Sequence, residues 1–116
     1  MKIKVAYLIS TLGTGGAERQ LVRSLNLIDK NKYAVKLFVL TNVNEIENEL
    51  DKEIEIEYFN LSSYLNPKNH YTVQKRLKRF NPVLIHSVLY ASNLFARFYK
   101  FRYPKTKIIN HIHGLG

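Results

Sequence analysis

Two groups of residues in this chain are of types that do chemistry. One is the run Ser10-Thr11-Leu12-Gly13-Thr14-Gly15-Gly16-Ala17-Glu18-Arg19-Gln20-Leu21; the other is a set of three histidines, His86, His111 and His113. Glycine where a strand turns into a helix lets backbone N–H groups come close to an anion, and the helix N-terminus adds partial positive charge. That combination is a phosphate cradle. Two common versions of it are excluded by the letters. A Walker A loop closes on Gly-Lys-Ser/Thr, whereas Gly16 is followed by Ala17-Glu18. A dinucleotide fingerprint needs a small third residue, and Gly13-x-Gly15-x-x puts Glu18 there. The acidic ribose ligand expected about 20 residues further on is also missing, since the second apolar run ends Leu40-Thr41-Asn42. The plainer alternative is that Gly15 and Gly16 only permit a tight turn.

The histidines fall at or near the ends of apolar runs. Side chains alternate along a strand, so His111 and His113 share one face while Asn110 and Ile112 share the other. The chain has no cysteine and these histidines have no carboxylate nearby, so a zinc site would need His86, His111 and His113 all to converge. His111 reads as a structural strand residue. A neutral imidazole can hydrogen-bond a sugar hydroxyl, and a protonated one can stabilise a leaving phosphate.

The elements that must position these groups follow from periodicity. Ile3, Val5, Tyr7 and Ile9 alternate within a largely apolar strand over Lys2–Ile9, and Leu21, Ser24, Leu25 and Ile28 recur at helical spacing over about Gly16–Lys30. Tyr33–Thr41 reads as a second strand. Asn42–Asp51 reads as a short helix with Ile46 and Leu50 on one edge, and Ile54, Ile56 and Tyr58 alternate with glutamates as an outer strand. A helix over about His70–Phe80 turns Val73, Leu77 and Phe80 inward and stops at Asn81-Pro82. Val83–Ser87 is a fourth strand, Leu89–Tyr103 a helix and Lys107–His113 a fifth strand. Strands alternating with helices, joined by right-handed crossovers, predict an α/β fold with a doubly wound parallel sheet in the order 3-2-1-4-5. Ligands then bind beyond the carboxyl ends of the strands where the order reverses, between strands one and four. That crevice would bring the Gly13–Gly16 loop to His86 and Ser87, with His113 one strand further along.

Composition sets the outer limits. The 116 residues suffice for one domain, and no apolar run approaches the roughly 20 residues that span a bilayer. The opening Met1-Lys2-Ile3-Lys4-Val5 alternates and lacks the continuous apolar core of an export signal. The expectation is a soluble or peripheral protein, and the absence of cysteine fits a cytoplasmic location. The net charge is +9, but seven of the nine acidic residues fall between Glu45 and Glu57, and from Tyr58 onward there is none. A field of that sign attracts anionic lipid, nucleic acid or phosphorylated substrate, or else is a solvated surface. No recognised nucleic-acid motif is present, so RNA or DNA is not the expected partner. Tyr90, Phe95, Phe98, Tyr99, Phe101 and Tyr103 interleave with Arg97, Lys100 and Arg102; such a face suits a membrane surface, or packs Leu94, Phe95, Phe98 and Phe101 on the sheet.

The string Gly15 to Leu21, GGAERQL, resembles the first strand–loop–helix of family 4 glycosyltransferases, two-domain enzymes of the GT-B fold. Weaker likeness extends over Val83–Ala96 and over Ile108–Gly114, where Asn110-His111-Ile112-His113-Gly114 looks like the family's fifth-strand end. The resemblance implies a Rossmann-like, acceptor-side domain. It implies retaining transfer of a sugar from a nucleotide-diphosphate sugar to a glycan or lipid-linked acceptor, with no cofactor and no obligatory metal. Gly13, Gly15 and Gly16 would face the donor diphosphate and His113 would position the donor as the catalytic residue. His86, Glu18 and Arg19 would lie on the acceptor side; Val88 stands where the family often has a second histidine. The family's second domain is not in these residues, so the chain is expected to be a fragment, or one chain completed by a partner, and inactive alone. Its expected place is the cytoplasm, with peripheral contact at the inner face of the cell membrane. The competing expectation is a non-catalytic basic module that holds anionic membrane or nucleic acid.

Overall fold

Apolar residues dominate Ile3–Ile9 (β1) and Tyr33–Val39 (β2), and runs of that kind pair as parallel strands when both faces can be covered. β1 pairs with β2 from Ile3 opposite Tyr33 to Ile9 opposite Val39. On its other side β1 pairs with Leu84–Val88 (β4), which in turn pairs with Lys107–His111 (β5); Glu55–Tyr58 (β3) pairs with β2. The sheet is all parallel in the order β3-β2-β1-β4-β5, as the alternation of elements predicts. The computed structural model describes residues 2–61, 67–88, 95–97, 99–100 and 103–111, with residues 109–111 described by backbone alone.

Residues paired across parallel strands point to the same face, and the register therefore sorts the core into two layers. On one face Val5, Ile9, Leu37 and Val39 receive Leu21, Val22 and Leu25 of helix α1, Gly16–Leu27. On the other, Ala6, Leu8, Phe38 and Ile85 receive Val73 and Leu77 of helix α2, Pro67–Phe80. Helical residues at 95–97 and 99–100 add Phe95, Ala96 and Tyr99 to this second layer. Phe95 and Tyr99 are each only 1% exposed, so these aromatics of the basic segment pack on the sheet and not toward a membrane. Tyr90, Leu94, Phe98 and Phe101 lie outside the described residues.

Local chemistry explains where the elements differ from the sequence expectation. Helix α1 ends at Leu27 and not Lys30, because Asp29 offers the chain a competing turn: its carboxylate accepts from the Asn31 amide and its carbonyl from the amides of Lys32 and Tyr33. Of Asn42–Asp51 only Glu47–Glu49 is helical, as one 3-10 turn, although Ile46 and Leu50 are buried as expected. The Val43 carbonyl and the Ile46 amide are already spent on Leu12, so a longer helix cannot close there. β4 begins one residue late, leaving Val83 exposed.

Asn81 ends α2 in the left-handed region, at φ 56°, with its amide donating to the Leu77 carbonyl at 2.8 Å. Among side chains asparagine tolerates that conformation best after glycine. Asn81→Ala is expected to cost about 1 kcal/mol in denaturant unfolding, and Asn81→Gly to be neutral or stabilising. Equal losses from both would mean that the Asn81 side chain, not its backbone angle, holds the turn.

Candidate functional site

The strand order reverses at β1, and the loop from Ser10 to Gly15 leaves its carboxyl end there. The first half of that loop is fastened to the segment after β2. Thr41 donates to the Ser10 carbonyl through both its amide (3.1 Å) and its hydroxyl (2.9 Å). The Leu12 amide donates to Val43 O at 2.9 Å, the Leu12 carbonyl accepts from the Ile46 amide, and the Leu12 side chain is buried. With Leu12 held at both polar groups and by its side chain, Gly13–Gly16 projects from a fixed base.

Gly15 is the N-cap of α1 and has no side chain with which to cap it. The first helical backbone bond runs from the Arg19 amide to the Gly15 carbonyl, so the amides of Gly16, Ala17 and Glu18 have no carbonyl ahead of them. The glycines of this loop have different surroundings. A Cβ on Gly15 would stand 2.6 Å from Glu18 Oε1, and one on Gly13 would lie 3.4 Å from Glu18 Oε2 and 3.5 Å from Glu45 Oε1. The Glu18 carboxylate has folded back over the loop, where Thr11 Oγ1 donates to it at 2.9 Å. A carboxylate in the first helical turn is favourably placed against the helix dipole. At Gly16 a Cβ would meet no described atom within 4 Å beyond its chain neighbours and the backbone of its own helix. Neither Gly13, Gly15 nor Gly16 adopts a left-handed φ, so none is required by the turn itself. Gly15 makes room for Glu18; Gly16 makes room for nothing inside the protein.

Beside the loop, between α1, β1 and β4, lies a crevice of about 100 Å³ lined by Tyr7, Gln20, Ser24, His86 and Val88, with Ala17 and Leu21. Tyr7 and His86 are register partners, and their rings stack at 4.9 Å and 25°. Burial, with a smaller push from Tyr33, raises the Tyr7 phenol above its ordinary pKa, so it enters the crevice as a neutral hydroxyl. An aromatic wall with an amide, two hydroxyls and an imidazole suits a polyhydroxylated ligand, which presents both C–H faces and hydroxyls. The volume accommodates several waters or one edge of a sugar.

The structure therefore brings some expected residues together and separates others. Gly13, Gly15 and Glu18 form one cluster, with Gly16 beside it. His86 lines the adjacent crevice as the switch-point argument requires. Glu18 faces the glycines and is not among the crevice residues. Arg19 is not among the crevice residues: its guanidinium donates to the Thr14 carbonyl of the loop at 3.3 Å and pairs with Glu49 at 3.4 Å, with 44% of its side chain exposed. His111 ends β5 opposite Val88, with its side chain outside the described residues, as are His113 and Gly114 altogether. Among the described residues no cluster of three metal-ligating side chains occurs and no helix is long and apolar enough to cross a membrane. Spacing gives Tyr7, Gln20, Glu45 and Thr11 no separate role at the site, although Thr11 and Gln20 fall within the glycine-rich run. The available signal was Ser24, a polar residue inside the apolar stripe of α1 on the side that turns out to face the crevice. No protein-family model matches this chain, and a search of curated proteins finds no match.

Proposed function

We propose that this chain is the acceptor-side, Rossmann-like domain of a retaining glycosyltransferase, moving a sugar from a nucleotide-diphosphate sugar to a glycan or lipid-linked acceptor. The observation that carries the reading is Gly16. Glycine in a helical turn costs up to about 1 kcal/mol relative to alanine, and here it answers no conformational or packing need inside the described chain. It stands at an uncapped helix N-terminus, on a loop fastened at Leu12, beside a crevice of sugar-binding character. A diphosphate that must approach the backbone closely supplies the missing reason. The GGAERQL resemblance points the same way, and a second domain would close over the donor.

In this reading the residues divide the work. The amides of Gly16 and Ala17 hydrogen-bond the diphosphate, and charge-assisted bonds of that kind are the strong ones. His86, kept in plane by Tyr7, orients an acceptor hydroxyl together with Gln20 and Ser24. His113 is assigned to donor positioning by the resemblance alone.

Glu18 makes the reading testable in sign. Its carboxylate lies where an incoming anion would approach Gly15, so the diphosphate must displace it. Glu18→Gln retains the size and the bond from Thr11 while removing the charge. Nucleoside-diphosphate affinity is expected to rise about two- to fivefold, the worth of one such charge near a helix N-terminus. Unchanged affinity would mean that the anion does not come to this loop. The decisive assay is transfer from nucleotide sugars by the full reading frame that contains this chain; no turnover with any nucleotide-sugar donor, in folded protein, would refute the proposal.

A further inference from the structure

We propose that the outer face of α2, with the turns at the amino ends of β4 and β5, docks this protein on an anionic lipid bilayer. The inference stands apart from glycosyl transfer and concerns the opposite end of the sheet from the glycine loop. Helical spacing gathers Tyr71, Gln74, Lys75 and Lys78 on one stripe of α2, away from the buried Val73 and Leu77. That stripe lines a shallow depression closed by Tyr103. It runs on into a groove of about 440 Å³ whose walls include Lys78, Val83, Tyr103 and Lys105.

Three observations choose the occupant. The first is charge: α2 carries Lys68, Lys75, Arg76, Lys78 and Arg79 and no acidic residue, and no carboxylate side chain occurs anywhere from Tyr58 to Gly116. Among these, Arg76 is drawn off to Glu57 at 2.6 Å, while Lys75, Arg79 and Lys105 make no ion pair among the described residues. The second is exposed apolar surface in the same place. Tyr71 is 58% exposed and Val83 57%, both on the walls of these depressions. A purely solvated basic face needs neither. The third is the distribution across the sheet. The strand order puts the glutamate-rich β3 at one edge and β5 at the other, so the molecule is electrically lopsided and an anionic plane would turn the β4–β5 end toward itself.

Lysines around an exposed tyrosine and valine match a bilayer interface, where ammonium groups meet lipid phosphates and the apolar groups sink to headgroup depth. Nucleic acid fits less well, because Tyr103 is already covered by Lys78 Nζ at 4.7 Å, which leaves Tyr71 alone, of the two tyrosines in the depression, for the stacking of successive bases.

The chain contains no tryptophan, so Tyr71→Trp introduces a unique fluorescent reporter at an exposed site. Phosphatidylglycerol/phosphatidylcholine vesicles are expected to shift its emission to the blue, and pure phosphatidylcholine vesicles to leave it unchanged. Lys75→Gln with Lys105→Gln in the same protein should weaken vesicle binding about thirty-fold, each lysine near an anionic surface contributing about fivefold. Lys52→Gln, at the acidic side of the molecule, should leave binding within about twofold of the parent. The proposal is overturned by any of three results: no spectral shift with anionic vesicles, an equal loss in the Lys52 variant, or an oligonucleotide that binds through Lys75 and Lys105 while vesicles do not. All four positions are exposed, and far-ultraviolet circular dichroism of each variant separates loss of docking from loss of fold.

Discussion

On the proposed glycosyltransferase reading, Gly16→Val is expected to lower nucleotide-sugar turnover about a hundredfold and to leave the fold intact. A hydrogen bond from a backbone amide to a charged oxygen is worth about 1.5–3 kcal/mol, and a branched side chain at Gly16 would hold a diphosphate away from two such amides. The combined loss corresponds to roughly two orders of magnitude in rate if it is felt in the transition state. Folding has little reason to respond. The Cβ position at Gly16 is open, its backbone is not left-handed, and the helix-propensity difference between glycine and valine is a few tenths of a kcal/mol in valine's favour. An unchanged thermal midpoint with the activity gone is the expected signature. Retained turnover would mean that Gly16 does not admit a diphosphate to the backbone amides, and the assignment of the loop would fall.

The other large effect concerns the sheet itself. Phe38 is fully buried on the α2 face, its ring stacked with Phe59 at 5.9 Å and edge-on to Phe80 at 6.1 Å. Truncating a buried phenylalanine removes transfer free energy and leaves a cavity that rigid neighbours cannot fill, so Phe38→Ala should destabilise by about 3–5 kcal/mol. Against a total of about 5–15 kcal/mol for a typical domain, the variant would be close to unfolding. Urea denaturation should register this as a lower midpoint with an unchanged slope. Leu27→Ala, at a residue 86% exposed on the end of α1, should move the midpoint hardly at all. A small effect at Phe38 would mean that the second layer is looser than its packing implies.

Much of the fold was legible because periodicity and connection rules act over whole segments. Ile3, Val5, Tyr7 and Ile9 had to face one way, and Val73, Leu77 and Phe80 had to face inward from a helix; right-handed crossovers then left few strand orders. The errors came where a single hydrogen bond decided the outcome. Nothing in the composition of Asn42–Asp51 announces that Val43 and Ile46 will bond to Leu12, 31 and 34 residues away in sequence, and those two bonds limit the segment to one 3-10 turn. Helix α1 stopped early for a reason of the same kind, the turn organised by Asp29. The site was legible to a similar degree. The loop and His86 meet because topology demands it, whereas the return of Glu18 onto Gly15 depends on a rotamer and on the hydroxyl of Thr11, and the stacking of Tyr7 on His86 depends on register. Arg19 could not be distinguished from Glu18 by spacing, yet Glu18 folds over the glycines while Arg19, bonded to the Thr14 carbonyl, reaches out to Glu49.

The account rests on the β1–α1 loop receiving a diphosphate, and amide chemical shifts report on that loop directly. In a titration of this chain with a nucleoside diphosphate, the backbone amides of Gly13, Gly15, Gly16 and Ala17 should shift along one saturable curve, with a matching response at His86 smaller or absent. Shifts that gather on the lysines of α2 while these four amides stay still would contradict it.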